Sequence, residues 1–171
     1  DEATRQLVAL GHRRIVLLTR ASRRRPAPGR TERAFLDALQ SQGIPTGNYN
    51  LPVWEENSEG FRAILDSLFG PTPPTALIID DMPMFVAAQQ FLGNRGFRVP
   101  EDISLVCTDG SPAFDWCTPS IAHIHWPTRP VVRRIVNWAN NLARGREDHR
   151  QTLTQAEFLP GGTLGPVPAG K

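Results

Sequence analysis

The 171-residue sequence predicts an α/β fold: an open, mostly parallel sheet flanked by helices. Three observations carry that expectation. Short apolar runs alternate with amphipathic stretches; RRIVLLT, TALIID and ISLVCT are apolar at consecutive positions, as strands covered on both faces must be; and glycines punctuate the change from one kind of segment to the other. With 40% hydrophobic residues the chain can bury one substantial core, so one compact body is expected.

In EATRQLVAL, Ala3, Leu7 and Leu10 recur at helical spacing and Gly11 supplies a stop, which predicts a helix over 3–10. RRIVLLT follows as a buried strand. The next residues, RASRRRPAPGRT, hold three consecutive arginines and two prolines, a composition that favours a mobile loop. TERAFLDALQSQG places Ala34, Phe35, Ala38 and Leu39 on one helical face, with Thr31 as N-cap and Gly43 as stop. The alternation continues with LPVW as a strand, SEGFRAILDSLFG as a helix capped by Ser58, TALIID as a strand, and PMFVAAQQFLGNRG as a helix carrying Pro83 in its first turn. ISLVCT and SIAHIHW are two further strands. TRPVVRRIVNWANNLARG is a long amphipathic helix with Val132, Ile135, Val136, Ala139, Leu142 and Ala143 facing inward, and AEFLP is a last strand.

Composition narrows the function classes. The formal charge of +2 is spread along the chain and argues little for nucleic acid; the SRRR run reads as a solvated loop. Cys107 and Cys117 stand without C-x-x-C or Cys/His spacing, which speaks against zinc or a disulfide framework and suits a reducing compartment. Apolar runs fall short of the roughly 18 residues a membrane span needs, and DEATRQLVAL does not read as a signal peptide. No membrane association and a cytoplasmic location are therefore expected. The start at Asp1 without Met is read as the start of a piece of a longer protein.

In an open parallel sheet, ligands bind beyond the carboxyl ends of the strands. The predicted strands end on Arg20, Trp54, Asp80 with Asp81, Asp109, and His125 with Trp126. Such a set offers carboxylates to accept hydroxyl hydrogens, an arginine to donate, and indoles to stack. Plainer roles exist at the same positions: Asp81 is placed to cap the following helix, and a tryptophan near a strand end is more often a core or rim residue. His123 and His125 form an H-x-H at roughly 7 Å spacing on one strand face, but two ligands without a third read as rim histidines rather than a metal site. An enzyme holding Mg²⁺ on Asp80, Asp81 and Asp109 is the rival of another class. Its chemistry usually needs a nearby lysine, and the single lysine is Lys171; G-x-S-x-G, P-loop and G-x-G-x-x-G motifs are also missing. No catalytic residue, cofactor or metal is expected.

Taken together, LVALGHRRIVLLT, TERAFLDALQSQGI, PTALIIDDMPM and VPEDISLVCTDG resemble, in order and spacing, segments of the lactose and ribose repressor family of bacterial transcriptional regulators. CTPSIAHIHWP, the long helix ending at Gly145 and EFLPGGT continue the likeness, which covers most of residues 3–166. It implies a periplasmic-binding-protein-like effector domain, of which residues 1–171 are a single lobe, the C-terminal part of a longer regulator, lacking most of the N-terminal lobe. Residues 11–128 and 152–166 are then the sheet lobe. The helices over 3–10 and 129–144 are those that in the family pack on the missing lobe, so an unmet apolar face is expected on the second, folding back or driving self-association.

The resemblance also implies a small polar effector, a sugar or related metabolite, and contact with DNA only through an absent helix-turn-helix domain. A homodimer through the helices SEGFRAILDSLFG and PMFVAAQQFLGNRG is implied as well. Asp109 matches the family's ligand-contacting acid and Asp80 the first residue of its Asn-Asp pair. Trp126 matches a position that faces the pocket in some members, and Trp54 lies one residue from an aromatic contact. The family's arginine aligns with Thr31, next to Arg30. With Arg20 from the strand-end reading, these form the candidate ligand set. Cys107 and Thr108 stand where the family has Gly and an aromatic. Periplasmic solute-binding proteins of sugar transporters share the fold; the Val-Pro-Glu-Asp-Ile-Ser phrase favours the repressor branch.

Overall fold

A computed structural model describes residues 2–24 and 27–168. Among them, β1 (Ile15–Leu18), β2 (Ala76–Ile79), β3 (Ser104–Cys107) and β4 (Ala122–His125) pair in sequence order as parallel neighbours, and β5 (Glu157–Leu159) joins β4 antiparallel. The helices are α1 (Glu2–Ala9), α2 (Arg30–Ser41), α3 (Ser58–Leu68), α4 (Met82–Asn94) and α5 (Thr128–Ala143). All residues of β1, β2 and β3 are buried, because successive side chains feed two cores. Val16, Leu18, Leu77, Ile79, Leu105 and Cys107 meet Leu65 of α3 and Phe85 and Leu92 of α4. Ile15, Leu17, Ile78 and Val106 meet Leu7 of α1 and Phe35 and Leu39 of α2 on the opposite face. The apolar side of α1, including Ala3, Leu7 and Val8, is thus packed within this lobe.

Several expectations require correction. LPVW is not a strand. Asn50 runs beside β1 and uses its carbonyl to receive Leu17 N–H at 2.8 Å and its side chain to reach Ile15 O at 2.9 Å. Pro52 follows without an N–H, so the ladder goes no further. The loop expected to be mobile includes a 3-10 turn over Ala21–Arg23, and Arg24 ties it down through Glu32 at 2.6 Å; Arg25 and Pro26 of the SRRR region lie outside the described residues. The helix caps fall earlier than Thr31 and Ser58, by two residues at Gly29 and by one at Asn57, whose side chain accepts from Gly60 N. Asp81 does cap α4, accepting from Met84 N at 3.0 Å.

The predicted inward face of α5 is outward. No residue of α5 is buried, and Val132, Ile135, Val136 and Leu142 are each more than half exposed. Beyond it, Asp148 takes hydrogen bonds from Arg134, Asn141 and Arg150, folding residues 144–150 back along the helix.

β3 and β4 pair directly only at Val106↔Ala122 and Cys107↔His123. Below that point the C-terminal segment is wedged between them. Leu105 N–H donates to Thr163 O at 2.9 Å; Thr163 Oγ1 donates to Leu105 O at 2.8 Å and accepts from Ala122 N at 2.9 Å. Gly161 lies so close to β4 that a Cβ there would stand 2.4 Å from Ala122 N, which only glycine avoids. Buried His12 completes the clamp at the amino ends of the strands, its ring nitrogens meeting Thr75 Oγ1, Gly165 O and Ser104 Oγ.

Candidate functional site

A cleft of about 770 Å³ opens beyond the carboxyl ends of the parallel strands, within the size range of small-molecule sites. Its walls come from the strand ends (Thr19, Asp80, Thr108, Asp109, Trp126), from the first turns of α1 and α2, and from β5.

Alternation along an extended chain decides which acids face it. Asp80 falls on the same side as Ile78 and reaches the cleft, whereas Asp81 turns to the other side and caps α4. Asp80 is buried, and Thr108 Oγ1 lies 2.9 Å from its backbone carbonyl and 3.4 Å from Oδ1. Thr108 therefore braces the acid. Asp109 is exposed, with Oδ1 accepting from Gly110 N at 2.9 Å. Trp126, half exposed at the end of β4, shares a face with Ile124 and aims Nε1 at Thr108 O, 3.5 Å away. Arg30, the first residue of α2, is exposed on the rim beside Thr31.

Asp80, Asp109, Trp126 and Arg30 are therefore brought together; Trp54 and Arg20 are not. The Trp54 indole donates to Thr19 O at 3.0 Å and its ring packs on Phe61, 5.2 Å between centroids, in the core shared with α3 and α4. Arg20 is bound to the capping Asp81 and to Glu56 at 3.1 Å, hydrogen bonds that hold its guanidinium above its ordinary basicity. Both point to the far side of the sheet. So does Cys107, whose burial pushes the thiol up to about 12 and keeps it protonated.

Sequence reading missed Glu32. This buried acid accepts from Thr19 Oγ1 at 2.6 Å and Gly29 N at 2.7 Å, and pairs with Arg24 at 2.6 Å. It fixes the first turn of α2 against the end of β1. The signal was present: a glutamate three residues after a small N-cap is the helix-start pattern, once the start is placed at Gly29 rather than Thr31. Of the histidines, His123 is buried with its ring edge-on to Phe114 and His125 is exposed; no cluster of three metal-ligating side chains occurs among the described residues.

A buried carboxylate, an exposed one, an exposed indole face and a rim guanidinium around one cleft can receive a hydroxyl-rich molecule, with acceptors for its hydroxyls and an apolar surface for its C–H face.

Comparison with known proteins agrees with this architecture. A model of the periplasmic binding protein-like domain matches residues 4–164. The transcriptional regulator RafR of Escherichia coli is 30% identical over 166 residues, covering 95% of this chain and 49% of that protein. The ribose operon repressor of E. coli K12 is 32% identical over 129 residues, 74% of this chain and 38% of the repressor. The chain thus spans half or less of the length of these relatives. Among solved structures, a LacI family regulator from Enterococcus faecium with bound ribose has a TM-score of 0.81 at 19% identity, covering 97% of this chain and 62% of that one. That likeness shows a shared fold.

Proposed function

The chain belongs to the periplasmic binding protein-like family, in the branch of the lactose and ribose repressors, and from that premise we propose that it is the effector-sensing lobe of a bacterial transcriptional regulator. The observation that carries the reading is the cleft at the carboxyl edge of the sheet, where Asp80, Asp109, Trp126 and Arg30 converge. The effector is a small hydroxylated molecule, a sugar or a close relative. Its hydroxyls donate to Asp80 and Asp109, one face lies on Trp126, and Arg30 donates from the rim. Trp54 and Arg20 act behind the site, Trp54 by packing and Arg20 by holding the cap of α4.

The relatives are about twice the length of this chain or more; on this reading the rest of the regulator supplies a second wall for the cleft and a DNA-binding domain. DNA affinity changes only if the effector favours one arrangement of the two lobes over the other, so the hydrogen bonds to Asp80 and Asp109 must differ between them. A cytoplasmic homodimer is the form this reading assigns to the whole protein. Relatives named as transcriptional regulators and repressors support sensing over transport or catalysis. A thermal-shift screen of metabolites on the full-length regulator tests the assignment: a sugar-like hit is expected, lost in Asp109→Ala, and a hit that Asp109→Ala leaves untouched removes Asp109 from the site.

A further inference from the structure

We propose that the cleft accepts a neutral or positively charged hydroxylated effector and rejects one carrying phosphate or carboxylate. The inference rests on the effector reading above and narrows it. Along the cleft, Glu2, Glu32, Asp80, Asp109 and Glu157 are acidic, and among the described residues Arg30 is the single basic side chain lining it.

The two features that ordinarily receive anions at this edge of a parallel sheet, helix N-termini and free guanidiniums, already face acids of the chain itself. A helix N-terminus binds anions through its unsatisfied N–H groups and positive dipole end. At α2, the Glu32 carboxylate stands in the first turn and offsets the positive end of the dipole, taking the N-cap Gly29 N–H on Oε2 at 2.7 Å. At α4, the N-cap is Asp81, which receives Met84 N–H at 3.0 Å. The nearby guanidiniums are engaged in the same way. Arg24 is turned onto Glu32, Thr19 Oγ1 and Pro52 O, and Arg20 onto Asp81 and Glu56. Arg5 pairs with Glu2 in a contact open to water, where screening leaves little of its charge effect. An incoming phosphate therefore meets Asp80 and Asp109 as like charges, with Arg30 alone to offset them. A hydroxyl or an ammonium meets them as acceptors.

Saturation-transfer NMR on the full-length regulator tests this with matched sugars: ribose against ribose 5-phosphate, and glucose and galactose each against their 2-amino, uronate and 6-phosphate forms. In at least one set the neutral or amino member is expected to bind about tenfold or more tighter than its anionic counterparts, a margin one unfavourable charge contact readily supplies. Asp109→Asn is expected to shrink that margin by strengthening the anionic form and weakening the amino form, opposite signs that a general loss of structure does not give. An anionic member binding as well as its neutral parent overturns the inference; if that binding is weakened by Trp126→Ala, the effector cleft itself stands. Silence from every member up to millimolar concentration overturns both.

Discussion

Thr163→Val is the sharpest test of how this lobe is held together. The substitution keeps shape and removes one oxygen. That oxygen donates to Leu105 O at 2.8 Å and accepts from Ala122 N at 2.9 Å, in a residue with no exposure to solvent. In a parallel strand the N–H and C=O of one residue point the same way, and Leu105 N–H already points at Thr163 O. Its carbonyl therefore faces Thr163 as well. Valine strands a buried acceptor and a buried donor, each costing about 1–3 kcal/mol, and the added methyl offsets a small part. A net loss of about 2–4 kcal/mol follows, a large share of the ~5–15 kcal/mol that holds a domain folded. Urea unfolding should show a lower midpoint at unchanged slope. Thr163→Ser, which keeps the hydroxyl, should recover most of the loss. A valine variant within about 0.5 kcal/mol of the parent, or a serine variant as unstable as valine, refutes the account. Because Ala122 and Leu105 sit at the base of the strands ending in Trp126 and Asp109, the same loosening should weaken effector binding.

Two further outcomes follow from the packing. Burial lowers the pKa of His12 below its ordinary 6.5, so the folded form resists protonation. As pH falls through the unfolded value, the unfolded chain takes up the proton first; stability is full above about pH 6.5 and declines below it until the folded value is reached. Urea midpoints at pH 8, 6.5 and 5.5 should show this decline, and His12→Gln, less stable throughout, should lose that part of the slope; an identical slope removes His12 as its source. The exposed face of α5 should drive self-association of the 171-residue chain, and Ile135→Glu should reduce it in sedimentation velocity without lowering the melting temperature, since Ile135 is 56% exposed. A parent chain that sediments as a monomer at high concentration contradicts this.

The parallel sheet was legible because buried strands leave a coarse signal. Val16 and Leu17 must both be apolar when they serve opposite cores, and the same holds for Leu77 with Ile78 and Leu105 with Val106. Strand ends were legible for the same reason, and the sheet rule then assigned Asp80 and Asp109 to one edge. The strand proposed for LPVW was not to be had from local pattern. It failed through the Asn50 side chain bonding to Ile15, 35 residues away, an interaction no window of sequence displays.

What sequence conceals most is the choice of partner among charges. Arg20, Arg24 and Arg30 are alike as letters, all near the end of β1, yet one closes the α4 cap, one closes Glu32, and one faces the cleft. Each assignment turns on a distant acid or on a two-residue difference in where α2 begins. Starting α2 at Arg30 moves Glu32 to the third helical position, from which its carboxylate can reach back to Gly29 N–H and inward to Arg24 together. That shift changes the ligand expected: with Glu32 at the third helical position its carboxylate offsets the first turn and engages Arg24, which an anion would otherwise meet. The charge preference proposed for the cleft therefore depends on Glu32 and Arg24 behind it as well as on Asp80 and Asp109, which the effector would meet.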